Sequence, residues 1–207
     1  MARAASTDDP DAELLLRVGR EGDEAALAAL VARWQQPVVN FIFRMLPDAG
    51  EAEDLAQAVF VQLWRTAGRY QPQARFSTFL FTIARNLTLN EVRRRSRHPA
   101  DSLEGAADPG DETPARQLAD AGQLPAVVLL ERAELAAKVD EALAALPEKQ
   151  RVALALCRDT DLSYEDIAAV LGVTVPAVKS LLHRAREVLK ARLKPYLRTG
   201  EWDPGRA

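Results

Sequence analysis

Apolar residues recur every three or four positions along two stretches of the chain, 10–97 and 126–197. This period is typical of amphipathic helices, and no stretch alternates apolar and polar residues long enough to indicate strands. The pattern predicts helices over about 11–20, 24–46, 52–65, 77–96, 126–145, 148–157, 164–171 and 175–194. The predicted fold class is therefore all-α, with two small helical domains.

The segment between these stretches has a different composition. Residues 99–125 are rich in Pro, Gly, Asp and Ala, and their six acids are balanced only by Arg116. With few large apolar side chains, such a segment cannot bury enough surface to offset the entropy lost on ordering. We therefore expect a first domain at 1–98, a flexible acidic linker at 99–125, a second domain at 126–197 and a C-terminal tail at 198–207.

Composition narrows the class of protein. The 207 residues carry a formal net charge of −3, one cysteine and two histidines. With so few thiols and imidazoles, neither a disulfide framework nor a zinc site is expected, and no cofactor is predicted. The N-terminus lacks an apolar signal core, and no apolar run reaches the roughly 18 residues that span a bilayer. These features predict a cytoplasmic protein with no direct membrane insertion.

The stretch FSTFLFTIARNLTLNEVRRRSR, residues 76–97, combines aromatic residues, hydroxyls and a terminal cluster of arginines. At about 100° per residue, a core stripe is predicted from Phe76, Phe79, Leu80, Ile83 and Leu87. The opposite face surrounds Arg85 and is predicted to expose Phe81. Guanidinium groups suit phosphates and exposed rings suit unstacked bases, which favours a nucleic-acid surface. The alternative is that the arginines only complement the helix dipole.

The segment LSYEDIAAVLGVTVPAVKSLLHRAREVLKARL, residues 162–193, has the signals of two helices joined by a tight turn. Ser163 and Thr174 are predicted N-caps, and Gly172 is the predicted left-handed residue that ends the first helix. A basic second helix after such a turn is typical of a helix-turn-helix, whose second helix lies in the major groove. The alternative is a helical hairpin with a solvated basic face.

The segment EAEDLAQAVFVQLWR, residues 51–65, begins with acids and contains an aromatic pair, Phe60 and Trp64. Asp54 and Gln57 are predicted to remain outside the core. This face is a candidate surface for a basic partner helix, although a Phe/Trp pair is more often core than interface.

With these segments in this order, the chain resembles the extracytoplasmic-function (ECF) group of the sigma-70 family, bacterial transcription initiation factors with two domains called region 2 and region 4. The resemblance covers about 11–97 and 130–195 and includes the motifs AEDLAQAVFVQLWR, ARFSTFLFTIARNLTLNEVRRR and LPEKQRVALAL besides the helix-turn-helix. It implies an RNA polymerase sigma factor that recognises the −35 element as duplex and the −10 element as an opened strand. Such a protein is not an enzyme, and the family is typically controlled by an anti-sigma factor.

The resemblance also implies residue roles. Contacts with the β′ clamp helices of core RNA polymerase are expected for Asp54, Gln57 and Phe60. Contacts with the −10 element are expected for Tyr70, Phe79, Phe81, Asn86, Arg93, Arg94 and Arg95. Contacts with the −35 element are expected for Lys179, Ser180, His183 and Arg184. The apolar part of the second domain would receive the tip of the β flap.

The chain departs from the family's usual residues at several positions. Ala58 stands where Glu is usual, Phe79 replaces Trp, and Asn90 stands where Asp is common. In the recognition helix, Pro176-Ala177 replaces Gly-Thr and Leu181 replaces a frequent Arg. A promoter sequence is therefore not carried over from the family.

Two other classes of protein are compatible with part of this pattern. A stand-alone helix-turn-helix regulator would bind duplex DNA as a dimer without polymerase and would leave the pattern at 51–97 without a role. A small hydrolase would use Cys157 as its nucleophile. The position of Cys157 beside Ala153 and Leu154 on a predicted helix, with no histidine nearby in sequence, favours a packed and inert thiol.

Overall fold

The computed structural model describes residues 9–72, 74–97, 126–160, 162–200 and 202, and this part of the chain is helical with no strand. Its helices are α1 Pro10–Glu21, α2 Glu24–Met45, α3 Ala49–Ala67, α4 Phe76–Arg97, α5 Ala126–Ala144, α6 Glu148–Asp159, α7 Tyr164–Leu171 and α8 Val175–Thr199. All eight predicted helices and the all-α class are confirmed. The expected acidic linker at 99–125 lies outside the described residues.

Two prolines lie within helices. Helix α2 is continuous through Pro37, and α8 continues through Pro195 to Thr199 instead of ending near residue 194. An interior proline removes one backbone hydrogen bond, and in α2 this loss is offset by packing against α1, α3, α4 and α6.

Helices α1 to α4 form the amino-terminal domain around an aromatic core. Its fully buried side chains include Phe41, Phe76 and Phe81. The α1–α3 crossing is tight, because a Cβ on Gly19 would lie 2.4 Å from the carbonyl oxygen of Ala67. A side chain at position 19 is therefore excluded unless the two helices move apart.

The carboxylate of Asp9 ties two distant helix starts together. One of its oxygens accepts from the backbone N–H groups of Asp11 at 3.1 Å and Ala12 at 3.3 Å, which caps α1. Its other oxygen accepts from the backbone N–H of Phe76 at 2.8 Å, at the first residue of α4. The unpaired N–H groups at the start of α1 and α4 therefore share one acceptor.

Helices α5 to α8 form the carboxy-terminal domain, and its helix-turn-helix has the predicted signals. Ser163 caps α7 in a reciprocal capping box with Asp166, and Gly172 ends α7 at a φ of 64°. Thr174 caps α8, which leaves α7 at an angle of 93°. Trp202 of the tail packs on this domain, and its indole N–H donates to Glu141 at 2.9 Å.

The two domains are in contact. Helix α2 packs against α6 and touches α5, while α4 packs against α7. Buried apolar side chains of both domains form one continuous cluster, which includes Leu80 of α4 and Ile167 of α7.

Among the described residues, no single helix has the length and apolar composition needed to cross a membrane, although the bent α7–α8 pair meets those two criteria when it is taken together.

Candidate nucleic-acid interface

The outer face of α8 is exposed to solvent at the positions predicted to contact DNA. The four side chains predicted to face the −35 element are all exposed: Lys179, Ser180, His183 and Arg184. Behind them Val178, Leu182 and Ala185 are buried and hold the helix on the domain. The 93° angle and the exposed polar face are the geometry by which a recognition helix enters a major groove.

The face of α4 carries a different mixture of exposed and engaged groups. Asn86, Arg93 and Arg94 are exposed, whereas Phe79 and Arg95 are half-buried. These five residues lie on one helix, α4, and span roughly 24 Å along it from Phe79 to Arg95 at 1.5 Å per residue.

Acids of the same domain hold two of the predicted phosphate-binding arginines. Glu91 accepts two hydrogen bonds from Arg94, from Nε at 2.8 Å and from Nη2 at 2.8 Å. Arg95 lies between Glu91 and Glu51 of α3 and forms an ion pair with each. A guanidinium held in this way is positioned and partly neutralised, so its charge is less available than the count of arginines suggests.

Phe81 does not belong to this surface. Its side chain is 0% exposed and lies edge-on against the rings of Phe41, at 5.7 Å between centroids, and Trp34, at 6.1 Å. The expectation of an exposed Phe81 is wrong. The helical period indicated one apolar stripe on α4. In the structure, α2 and α3 cover one side of α4 and α7 covers another, so the buried part of its surface is wider than that stripe.

The rings of Tyr70 and Phe79 are in tilted contact, with centroids 5.0 Å apart and planes inclined by 50°. Tyr70 is 8% exposed, and its hydroxyl donates to the carbonyl oxygen of Ala74 at 3.4 Å. Burial, followed by the negative charge of Asp9, raises the pKa of Tyr70 to about 12. The two rings, each expected from the resemblance to contact the −10 element, are therefore in contact with each other.

The outer face of α3 presents a mixed polar and apolar strip. Asp54 and Gln57 are exposed as predicted, while Phe60 is 8% exposed and belongs to the core. In its place Trp64 is 57% exposed and Val61 46% exposed. The sequence analysis assigned the polymerase contact to Phe60 and not to Trp64, although Val61 and Trp64 continue the helical face of Gln57 at the i, i+4 and i+7 positions.

Helix α7 covers part of α4 with polar contacts that the sequence did not predict. The Thr78 hydroxyl donates to Asp166 Oδ1 at 3.1 Å, and Arg75 lies 3.7 Å from the same carboxylate. Arg85 donates to the carbonyl oxygen of Val170 at 3.5 Å. Nearer the end of α4, Arg93 forms an ion pair with Glu148 of α6 at 3.4 Å.

Cys157 is half-buried and packs against the core. This position agrees with the interpretation of a packed thiol.

Comparison with known families gives two matches. Residues 30–98 match Sigma-70 region 2, and residues 136–189 match Sigma-70, region 4. The first match includes α3 and α4, and the second includes the helix-turn-helix.

Curated proteins are similar over nearly the whole chain. The RNA polymerase sigma-H factor of Pseudomonas aeruginosa is 38% identical over 192 residues, which cover 93% of this chain and 98% of that protein. The ECF RNA polymerase sigma factor SigW of Bacillus subtilis is 32% identical over 177 residues, which cover 84% of this chain and 92% of that protein.

A solved structure is also similar. The sigma factor RpoE in complex with the anti-sigma factor NepR from Bartonella quintana gives a TM-score of 0.59 at 25% identity and covers 84% of this chain and 98% of that chain. Family, relatives and fold agree, and the chain belongs to the ECF group of the sigma-70 family of RNA polymerase sigma factors.

Proposed function

We propose that this chain binds core RNA polymerase through α3 and directs initiation at promoters whose −35 element is read by α8 and whose −10 strand is read by α4. The observation that carries this proposal is the α8 face, where Lys179, His183 and Arg184 are exposed on a helix-turn-helix. Because sigma-70 factors act on promoters as part of RNA polymerase, membership of this family makes promoter DNA the expected ligand of that face.

At the −35 element, Lys179, Ser180, His183 and Arg184 would contact base edges and phosphates. Donors of this kind pair with guanine and with phosphate oxygens in the major groove. The exposed row they form on α8 supports this assignment.

At the −10 element, Asn86 and Arg93 are the exposed candidates for contacting an unpaired strand, together with the Tyr70–Phe79 pair. Base stacking on aromatic rings contributes about 1–3 kcal/mol per base. Because the two rings are in tilted contact with each other, a captured base would have to separate them or stack on the parts of the rings that this contact leaves open. Phe81 is left out of this set because it is a core residue.

For polymerase binding, the proposal rests on the α3 strip of Asp54, Gln57, Val61 and Trp64. A partly apolar strip with an exposed tryptophan and flanking polar groups is typical of an interface centre, where aromatic residues contribute most. We expect Trp64→Ala to weaken binding to core enzyme more than Glu53→Ala, a control at an exposed position on the same helix.

An anti-sigma factor is the proposed regulator, since the similar RpoE chain is described in complex with the anti-sigma factor NepR. The protein would act in the cytoplasm and would not catalyse a reaction itself. The domain limits of 1–98 and 126–197, with the linker at 99–125 and the tail at 198–207, remain part of this proposal.

Run-off transcription with purified core polymerase tests the proposal, using the DNA upstream of this protein's own gene as template. We expect a discrete transcript only when the chain and core enzyme are both present. A chain that forms no complex with core polymerase would overturn it. A mobility-shift assay distinguishes the proposed sigma factor from a stand-alone helix-turn-helix regulator, because such a regulator would shift the same duplex equally well without core enzyme.

A further inference from the structure

We propose that Asp9 is a positioning residue for the −10 surface, because its carboxylate fixes the start of α4 and with it the Tyr70–Phe79 pair. This inference rests on the proposed function, since it takes that pair to be part of the −10 surface. In this role Asp9 does not touch the strand. It holds the first turn of α4 in the position from which the two rings meet an unpaired base.

The carboxylate of Asp9 is divided between two helices. Its Oδ1 accepts from the backbone N–H groups of Asp11 at 3.1 Å and Ala12 at 3.3 Å, at the start of α1. Its Oδ2 accepts from the backbone N–H of Phe76, the first residue of α4, at 2.8 Å. The first N–H groups of a helix have no partner within that helix, so this charge-assisted hydrogen bond sets where α4 begins relative to α1.

The side chain of Phe76 is held from the same part of α1. Asp11 is 7% exposed, and its Oδ2 accepts from the indole N–H of Trp34 at 3.0 Å, while its Oδ1 accepts from Arg33. The ring of Trp34, oriented by this hydrogen bond, contacts the ring of Phe76 with centroids 5.8 Å apart. The backbone of Phe76 is therefore fixed through Asp9, and its ring is fixed through Asp11.

Helix α1 also contacts the other end of the connection that leads from α3 to α4. Gly19 packs so closely on the carbonyl group of Ala67, the last residue of α3, that no side chain fits between them. The same carbonyl oxygen accepts from the backbone N–H of Tyr70 at 3.1 Å. With 12 residues, α1 is about 18 Å long and spans this connection as one rigid element, with Gly19 at its beginning and Asp9 at its end.

The Tyr70–Phe79 pair depends on both of these anchors. Phe79 lies one turn after Phe76 on α4, so a shift of the first turn moves its ring directly. The carboxylate of Asp9 also lies close enough to Tyr70 for its negative charge, after burial, to raise the pKa of the phenol. A recognition site fails when its supporting residues leave it loose by about 1 Å, so the bond to Phe76 is expected to matter for strand recognition before it matters for folding.

The substitution Asp9→Asn separates the two tasks of the carboxylate. An asparagine side chain has one acceptor oxygen and one NH2 donor, so it can keep the α1 cap or the bond to Phe76, but not both. Asparagine is as good an N-cap as aspartate, and its oxygen is expected to face the two N–H groups of α1. The N–H of Phe76 then faces a donor. Asp9→Ala removes both acceptors.

Asp48→Asn is the matched control. Asp48 is half-buried like Asp9, but it caps α3 through one oxygen, which accepts from the backbone N–H of Glu51 at 2.9 Å. An asparagine at this position keeps that acceptor and loses the same charge. Any effect of removing one negative charge from a helix start is therefore shared by the control, whereas the link between α1 and α4 is not.

Hydrogen exchange followed by NMR tests the bond itself, after circular dichroism has confirmed folding. In the wild type the N–H of Phe76 should be protected, although it lies at the first position of a helix, where an amide usually has no partner. Asp9→Asn should remove this protection and leave Ala12 protected, and Asp48→Asn should leave both unchanged. An unprotected Phe76 in the wild type would overturn the proposal, and so would protection that persists in both Asp9→Asn and Asp9→Ala.

Promoter opening by the holoenzyme tests the consequence. We expect Asp9→Asn to slow opening about three- to tenfold, the effect of one lost hydrogen bond, and to leave co-elution with core enzyme and binding to the closed duplex unchanged. Permanganate footprinting measures opening. Opening rates in Asp9→Asn and Asp9→Ala that both match Asp48→Asn would overturn the proposal. Equal losses of opening and of polymerase binding would overturn it as well, because they would show a general loss of structure.

Failure of the proposed function would be seen separately, as the absence of a run-off transcript with wild-type chain and core enzyme. The positioning role of Asp9 would instead fail with that transcript present and with normal opening in both Asp9 variants.

Discussion

The surfaces of α8 and α4 differ in how their cationic side chains are held. On α8, Lys179, His183 and Arg184 are exposed, and none of them has an ion pair within the part of the chain that the structure describes. On α4, Arg93, Arg94 and Arg95 form ion pairs with carboxylates from the other domain, from their own helix and from α3. A duplex has a fixed shape that a preformed helix can match, whereas an opened strand offers its bases only after melting. Under the proposed function, three arginines of the strand surface are therefore partly neutralised before a strand is present, whereas the cations of the duplex surface are not.

The largest effect is expected at the open surface. Arg184→Ala should weaken binding of the holoenzyme to promoter DNA by about 1–3 kcal/mol, or roughly 5- to 150-fold, because a direct base or phosphate contact is lost. The measurement is promoter affinity at several salt concentrations, with Lys194→Ala as a control at an exposed cation further along α8.

Equal losses of promoter affinity in Arg184→Ala and Lys194→Ala would contradict this difference between α8 and α4. In that case α8 would act as a general cationic helix, and no particular side chain would read the duplex.

The second largest effect is expected on the stability of the fold, and it concerns the residues that cap the N-termini of α8 and α4. Helix α8 is capped by its neighbour Thr174, but α4 begins against Asp9, which is 67 positions earlier. Asp9→Ala should lower the free energy of unfolding by roughly 2 kcal/mol, because one cap costs about 1 kcal/mol and Asp9 serves two helices. Urea denaturation measures this loss.

Asp48→Ala is the matched control, since Asp48 caps only α3 through the backbone N–H of Glu51 at 2.9 Å. We expect about half the loss there. If both variants lost the same stability, the hydrogen bond from Phe76 to Asp9 would contribute nothing and α4 would be held by packing alone.

A smaller effect is expected at the strand surface. Asn86→Ala should slow promoter opening by roughly threefold to tenfold and leave polymerase binding unchanged, because one hydrogen bond to an unpaired base contributes about 0.5–1.5 kcal/mol. Permanganate footprinting of the opened region measures the first quantity, and co-elution with core enzyme measures the second.

Asn90→Ala provides the comparison, since Asn90 is exposed one turn later on α4. Equal losses of opening and of polymerase binding in Asn86→Ala would contradict its place on the strand surface.

The helices and the helix-turn-helix could be predicted because their signals are local. Ser163, Gly172 and Thr174 act within three or four residues of themselves, so their roles are written in the adjacent sequence. The exposure of Trp64 could also have been predicted, because Val59 and Leu63 mark the buried side of α3.

The burial of Phe81 and the contact of Asp166 with Thr78 were not predictable in this way. Both depend on a second layer packing on α4 from another part of the chain. A helical period identifies the most apolar stripe, but it does not say how many neighbours a helix has. The link from Asp9 to Phe76 is equally non-local, and nothing near either residue signals it.

The smallest effect is expected in the loop before α4 and appears only at alkaline pH. Burial and the charge of Asp9 raise the pKa of Tyr70 from its ordinary value of 10.0 to about 12 in the folded chain. A raised pKa means that the stability from the neutral phenol is complete below pH 10 and is lost as the pH rises from 10 towards 12.

We expect Tyr70→Phe to change stability little at neutral pH, because its 3.4 Å hydrogen bond is long, and to reduce the alkaline loss of stability. Urea denaturation across this pH range, with Tyr164→Phe as a control at an exposed tyrosine, measures the difference. An alkaline loss that is the same in wild type and in Tyr70→Phe would show that the ring is more hydrated than its place beside Phe79 indicates. The strand surface would then be as open to water at this point as the α8 face.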